Sequence, residues 1–539
     1  METKILDNLG LVSQMFDELE IGKTIDSLIP QDMSQRNVSI GQCVKAMVLN
    51  GLGFVNQQLY LLPRFFESKP LERFFGPNVS SEHFNDDTLG RSLDSLFSSG
   101  LTPVFCKVSS VAIKKMNIQP RFGHLDSTSF HVHGVYDQQE LVEGEVRIAK
   151  GYSRDHRPDL KQVGLALIVE QSSKIPFLMK PLNGNSNDCK AFEEIVREFG
   201  TQLKDVEGVE TLVADCALCT SENVRLMSEQ GVHFVTRMPS TSKQVKNLVS
   251  DCIQGVHGLR DLGDGYECFE TDSTFAGTSV RQICIRSQKG AEQGKGSLTK
   301  RLLKESREEC KELKQLKAKS FACEKDATAE LERFTKNCSH IRLEGVKVEA
   351  VPRYNKPGRP SPDSKPDSVE WFILATPCSA IDHFQNQSRK KGWFVLVSNQ
   401  LDKVEWTAER LLECYKNQNS VEQGFRFLKS PEFLCHSLYI KTPSRIQSLL
   451  FVMTLCLLVY SALEHKIRAK LKEEEPFWPS QLGKPVQNPT ARWVFHEFHG
   501  IHALLLEGQS LVLNLKDHHT RLLKLLGKPW LQLYQNKSQ

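Results

Sequence analysis

Tyr415, Gln418, Glu422, Arg426 and Lys429 follow one another at steps of three or four residues in a helix-patterned stretch. An α-helix turns once in about 3.6 residues, so this spacing predicts one stripe that sets a single acid among basic and polar groups. Two aspartates lie upstream. Asp126 follows Phe122-Gly-His-Leu and precedes the small Ser127-Thr128, and Asp215 closes the apolar run Thr211-Leu-Val-Ala, so both are expected at strand ends. Three such carboxylates suit divalent-metal phosphoryl transfer. Mg²⁺ and Mn²⁺ take hard oxygen ligands and retain water. Two ions roughly 3.5–4 Å apart activate a water or 3′-hydroxyl and stabilise the leaving oxygen. Singly, each acid has an ordinary explanation: a strand-end Asp is commonly a turn residue and a lone Glu a solvated one.

The elements that must position these acids are legible in outline. Residues 1–118 carry helix-spaced apolar residues over Gly10–Glu20, Ile40–Leu52 and Leu89–Met116, with Ser39 and Asn85 as candidate caps. From 119 the period shortens. Strands are expected at Phe122–Asp126 leading into an alternating Ser127–His133, at Gln162–Glu170, Ile175–Met179, Thr211–Asp215 and His233–Thr236. Helices are expected over Asp188–Leu203 and Ser221–Gln230. This is the alternation of a mixed α/β sheet. The pattern then breaks over 237–391, which includes a strand near Ser279–Arg286, a highly charged helical stretch from about Leu298 to Lys336, and a basic Pro/Ser-rich loop from Pro352. The charged helix reads first as a solvated face or short coiled coil, and second as a DNA clamp. A core strand returns at Gly392–Ser398. Helices follow at Pro443–Lys472, Thr490–Glu507 and His518–Leu526.

Composition sets wide bounds. Lys+Arg (69) exceeds Asp+Glu (65) by 69 − 65 = 4, which neither demands nor excludes a nucleic-acid partner. Fifteen cysteines are scattered without a disulfide framework, which favours reduced thiols in a cytosol; the Cys216/Cys219 pair has no second pair at zinc-ribbon spacing. The N-terminus lacks a signal-peptide pattern, and the apolar run Leu449–Leu463 is short for a membrane span, so a buried helix and a cytoplasmic protein are expected. His131 and His133 beside Asp126 read as packing or local hydrogen bonding, because no matching Cys/His pair completes a tetrahedral set.

Four segments together resemble a known family. His124-Leu-Asp126-Ser-Thr-Ser is similar to the first-acid segment of bacterial insertion-sequence transposases of the DDE class. Gly151-Tyr-Ser-Arg154-Asp-His-Arg157-Pro-Asp-Leu-Lys161-Gln resembles a segment typical of those enzymes. Val213-Ala-Asp215 resembles their second-acid strand, and Tyr415-x2-Gln418-x3-Glu422-x6-Lys429 their Tyr-Arg-Glu-Lys signature, with Gln418 standing where that signature has Arg. The resemblance implies an α/β ribonuclease-H-like mixed-sheet core interrupted by an α+β insertion domain, with helical N-terminal and C-terminal regions. The implied divisions are 1–118, 119–236 (first part of the core), 237–391 (insertion), 392–440 (second part of the core) and 441–539. The intervals agree, since 215 − 126 = 89 while 422 − 215 = 207, longer than a compact core requires.

By the same resemblance, Asp126, Asp215 and Glu422 are the catalytic and metal-holding residues for two Mg²⁺ ions, with Mn²⁺ able to substitute. Tyr415, Gln418, Arg426 and Lys429 are expected on DNA phosphates, and Arg154, Arg157 and Lys161 as further contacts, although an ordinary surface hairpin with salt links explains those last three as well. Trp371 and Trp393 are candidates for base stacking, with core packing the commoner role. The implied activity cuts transposon ends in double-stranded DNA and joins the 3′-OH to a target, as a homodimer when ends are paired, in the bacterial cytoplasm, with no membrane. The alternatives are a metal-dependent nuclease without strand transfer and an inactive DNA-binding derivative of a mobile element.

Overall fold

The computed structural model describes residues 2–54, 58–134, 136, 141–205, 208–354, 365–430, 442–506 and 509–538. Most of the Pro/Ser-rich loop that begins at Pro352 lies outside the described residues. The chain divides into two compact units, one of residues 1–237, 273–280 and 397–539, the other of 238–272 and 281–396.

The first unit contains five core strands in the order Pro176–Leu182, Lys161–Glu170, Phe122–Val132, Thr211–Ala214, His233–Arg237. The first three are antiparallel, and the last two run parallel to Phe122–Val132. Lys161–Glu170 is buried along nearly its whole length, which is why its sequence is an unbroken apolar run rather than an alternating one. Helices Asp188–Asp205 and Ser221–Glu229 connect the later strands. This is the mixed sheet with helices of a ribonuclease-H-like core.

Asp126 does not end a strand. The expected strand and the alternating segment after it form one strand of 11 residues, Phe122–Val132, because Gly123–Val132 pairs throughout with Lys161–Glu170. What stops at Asp126 is the parallel pairing with Thr211–Ala214, whose last partners are Leu125 and Ala214.

Around this sheet, the N-terminal and C-terminal regions form one helical layer. The helix Pro443–Lys472 is long and apolar enough to cross a membrane, but its apolar window is 94% buried inside the protein. It packs against Leu9–Glu18, Ile40–Leu52, Asp86–Ser98 and Leu101–Lys115, and a bidentate ion pair of Arg445 with Asp94 (2.8 and 2.7 Å) fastens its start. Ser39 caps Ile40–Leu52 in a full capping box with Gln42, and Asn85 caps Asp86–Ser98 through Thr88 N–H. The expected helix Leu89–Met116 is two helices that bend by 93° at Ser99-Gly100, where Gly100 takes φ +79°. The expected helix Thr490–Glu507 ends at Glu497; His502–Leu506 is a strand. It lies between Glu2–Ile5 and Gln509–Leu513 in a small antiparallel sheet. Backbone pairing with the distant N-terminus decides this, and no local pattern signals it.

In the second unit the hairpin Ile341–Arg353/Ser368–Ser379 packs against helices Gln288–Ala318 and Glu324–Asn337. The single charged helix expected here is interrupted, because buried Phe321 leaves it to exchange two backbone hydrogen bonds with Trp371 (2.9 Å each). Trp371 thereby belongs to the core of this unit, and the Trp393 indole N–H is bonded to the Arg389 carbonyl at 3.0 Å.

The chain returns to the first unit through Asn399. Its side chain accepts from Phe234 N–H (2.9 Å) and donates to the Val232 carbonyl (3.1 Å), while Gln400 donates to Thr211 Oγ1 at 3.4 Å. Asn399→Ala leaves two backbone groups unsatisfied and is expected to cost roughly 1–3 kcal/mol, read as a lower urea midpoint with an unchanged slope.

Candidate active site

Because Leu125 pairs with Ala214 in parallel, the next residue on each strand, Asp126 and Asp215, lie side by side. Asp126 is largely buried, and its carboxyl is raised to about 7, first by burial and also by Asp215 and Asp188, against the Ser127 amide and Arg154, which lower it. The Asp215 carboxyl is raised too, first by burial and then by Asp188, against a hydrogen bond from Ala217 N–H (2.9 Å). Thr236 Oγ1 donates to the Asp215 carbonyl at 2.6 Å and fixes the strand end.

The segment from Gly151 to Lys161 explains its own composition. Gly151 and Gly184 approach so closely that a Cβ on Gly151 would lie 2.2 Å from the Gly184 carbonyl oxygen, and one on Gly184 would lie 1.9 Å from that of Gln162. Gln162 then donates to the Tyr152 and Gly184 carbonyls (3.1 and 2.7 Å). Held in this way, the loop directs Arg154 into the acids: its guanidinium is 2.6 Å from Asp188 and 3.9 Å from Asp126. Ser127 Oγ donates to Asp188 at 2.5 Å. Asp155 meets Lys429 at 2.9 and 3.1 Å and His131 at 3.7 Å. His131 also bonds Ser153 Oγ at 2.9 Å, the local hydrogen bonding expected of it. Arg157 is paired with Asp159 (2.9 and 2.8 Å), and Lys161 donates to the Tyr136 carbonyl at 2.6 Å.

The stripe from Tyr415 to Lys429 is not one helix. Ala408–Lys416 ends at Asn417, and a second helix runs Asn419–Leu428 with Gln418 at its N-cap position, where its side chain makes no capping bond. Tight three-residue hydrogen bonds from Gln418 to Tyr415 and from Val421 to Gln418 join the two. The first helix packs on Thr211–Ala214 and His233–Arg237. Tyr415 is accordingly half-buried near Asp215, with Arg237 bonded to its hydroxyl, and burial raises its pKa. The second helix packs on Phe122–Val132 and Lys161–Glu170. There Lys429 sits 5.8 Å from the ring centre of Phe130, which shares a strand face with Asp126. Glu422 is exposed in the first turn of this helix and Arg426 is exposed in its last. The structure thus couples Asp126, Asp188 and Asp215 directly, and brings the helix of Glu422 onto the strand of Asp126.

The chain matches the family described as transposase DDE domain over residues 118–459, and a domain of unknown function, DUF4277, over residues 1–110. The chain belongs to the DDE transposase family. No curated protein matches it. Among solved structures, the piggyBac transposase synaptic complex with hairpin DNA is similar at 9% identity and TM-score 0.36, covering 91% of this chain and 79% of that one. The Mos1 transposase paired-end complex is similar at 11% identity and TM-score 0.15, covering 38% and 59%.

The transposase also contains a site residue that the sequence reading passed over. Asp188 was legible only as the start of a helix; its place among the acids follows from the chain folding back from Leu182. Cys216 lies close enough to the acids that, after burial, the charges of Asp215 and Asp188 raise its thiol, whereas Cys219 is buried. Every described cysteine is a free thiol, and burial holds Cys219 up at about 12. Among the described residues, one group has metal-ligand spacing elsewhere, Glu497, His518 and His519. There His519 Nδ1 accepts from Lys516 N–H at 3.1 Å, which places the proton of the neutral ring on Nε2 and removes that lone pair from ligation.

The acids fit divalent cations, because their raised pKa values record carboxylates held close together with too little water and one guanidinium between them. A carboxyl whose folded pKa is raised loses its contribution to stability as pH rises from the unfolded value through about 7. In chelator-treated protein, Asp126→Asn is therefore expected to raise Tm more at pH 8 than at pH 4.5. An equal shift at both would show that Asp126 is not destabilised by ionisation.

Proposed function

We propose that this transposase cuts DNA at transposon ends and joins the freed 3′-hydroxyl to target DNA, with Asp126, Asp215 and Glu422 holding Mg²⁺ or Mn²⁺. The observation that carries the reading is the pair Asp126 and Asp215, adjacent at the end of a parallel strand pairing in a site that disfavours their charge. Bound divalent ions supply positive charge at the nucleophilic water or hydroxyl and at the leaving oxygen. The protein's own residues orient the acids and the DNA. Lys429, a point charge held beside the strand of Asp126, reaches a backbone phosphate by exchanging Asp155 for it. Tyr415 holds the chain at Asp215 and offers its hydroxyl to the same backbone. Arg154 neutralises the acids before cations arrive and is then free to contact phosphate, while Arg157, Lys161, Gln418 and Arg426 add contacts along the same side. Pairing of two ends calls for two copies of the chain, acting on double-stranded DNA in the cytoplasm.

The test is cleavage and joining of a labelled transposon end with a target plasmid in Mg²⁺ or Mn²⁺. Asp126→Asn, Asp215→Asn and Glu422→Gln are each expected to lower both steps by ~10²–10³-fold, as loss of charge stabilisation in a transition state does. DNA binding is expected to persist. Full cleavage by all three variants would refute the site, and nicking with no joined product would replace the reading with a nuclease.

A further inference from the structure

The helix Gln288–Ala318 is 31 residues long; its buried residues Ala291, Leu298, Leu313 and Leu316 share one side, and Leu313 and Leu316 pack there with residues of the hairpin of its own unit. Lys300, Lys304, Arg307, Lys311 and Lys314 follow at steps of four, three, four and three. On a helical wheel they occupy an arc of about 80°, opposite the buried residues, and extend roughly 21 Å along the axis. All five are exposed.

Their surroundings separate them from the other charges of the helix. Arg301, off the arc, bonds Gln387 (2.9 Å) and approaches Glu305 (3.8 Å), and Lys317 donates to the Ala375 carbonyl (3.0 Å). Glu305, Glu308, Glu309 and Glu312 gather on one flank, where Glu305 and Glu309 hold His340 at 2.8 and 2.7 Å, and Glu292 lies on the other. Among the described residues, none of the five arc cations forms an ion pair or side-chain hydrogen bond. Cations three and four apart on a helix repel one another. A face needed only for solubility would be served better by alternating signs. A single-sign row suits a polyanion whose charges repeat along a line.

We infer that this face binds the phosphate backbone of duplex DNA, a contact that rests on the transposase reading and adds a DNA surface in the second unit. Lysines read charge and not sequence, so the contact sets affinity and orientation rather than end recognition. An anionic membrane surface is a poorer match, because interfacial helices insert an apolar face beside the basic one, and here that face is buried under the hairpin.

The experiment measures binding of the full chain to a duplex against salt concentration. It compares wild type with a variant carrying Lys300→Gln, Lys304→Gln, Arg307→Gln, Lys311→Gln and Lys314→Gln, and with one in which the four lysines become Arg. Each lost phosphate contact flattens the slope of log K against log salt by about 0.9, so the five-fold Gln variant is expected to lose about 4.5 units of slope, and the Arg variant none. Far-UV circular dichroism and Tm are expected to match wild type. An unchanged slope and affinity in the Gln variant, with wild type binding duplex, would overturn this inference and leave the active-site reading standing. A wild type that neither binds nor cuts duplex would overturn both. Preference for anionic vesicles over duplex would overturn the assignment of the face to DNA.

Discussion

Everything at the candidate active site depends on the short parallel pairing between Phe122–Leu125 and Thr211–Ala214. It ends one residue before each aspartate, so two carboxylates emerge side by side from neighbouring strands. Like charges in a poorly hydrated place raise one another's pKa, and the fold holds them there because the strands are fixed by burial: Leu125, Leu212, Val213 and Ala214 are all fully enclosed. Apolar packing beneath the acids thus sustains an electrostatic arrangement that is unfavourable until a cation joins it.

The surrounding elements serve that arrangement in different ways. The glycine contact between Gly151 and Gly184 lets a loop approach the sheet closely enough to place Arg154 between Asp126 and Asp188. The same loop holds Lys429 through Asp155, so one segment touches both the acids and a cation on the Glu422 helix. Asn399 re-anchors the chain after the second unit. The break at Asn417-Gln418 then allows one helix to pack on the Asp215 side of the sheet and the next on the Asp126 side. A continuous helix, being straight, would not follow the twisted sheet across both.

The strand-helix alternation of the core and the charged helix of the second unit are legible because each is a local signal: an apolar run, a change of period, a row of charges. Ser39 and Asn85 announced their helix starts for the same reason. The errors share a cause as well. Local pattern gives His502–Leu506 as helix, because its strand partner, Glu2–Ile5, lies about five hundred residues away in sequence. Asp126 was expected at a strand end because local pattern cannot register which neighbour stops pairing. Asp188 was passed over because nothing near it in sequence is unusual.

By itself, the sequence determined the chemistry on offer: three carboxylates, a Gly-Tyr-Ser-Arg segment, and a Tyr-to-Lys signature in which Gln418 replaces a guanidinium. Residue types and short spacings carry such information because they reflect side-chain chemistry and helical or strand periodicity alone. Only the tertiary structure decided that Asp126 and Asp215 share an electrostatic environment, that Asp188 and Arg154 enter it, and that the signature divides over two helices. Those outcomes depend on strand register and on packing between segments distant in sequence. No local pattern encodes them.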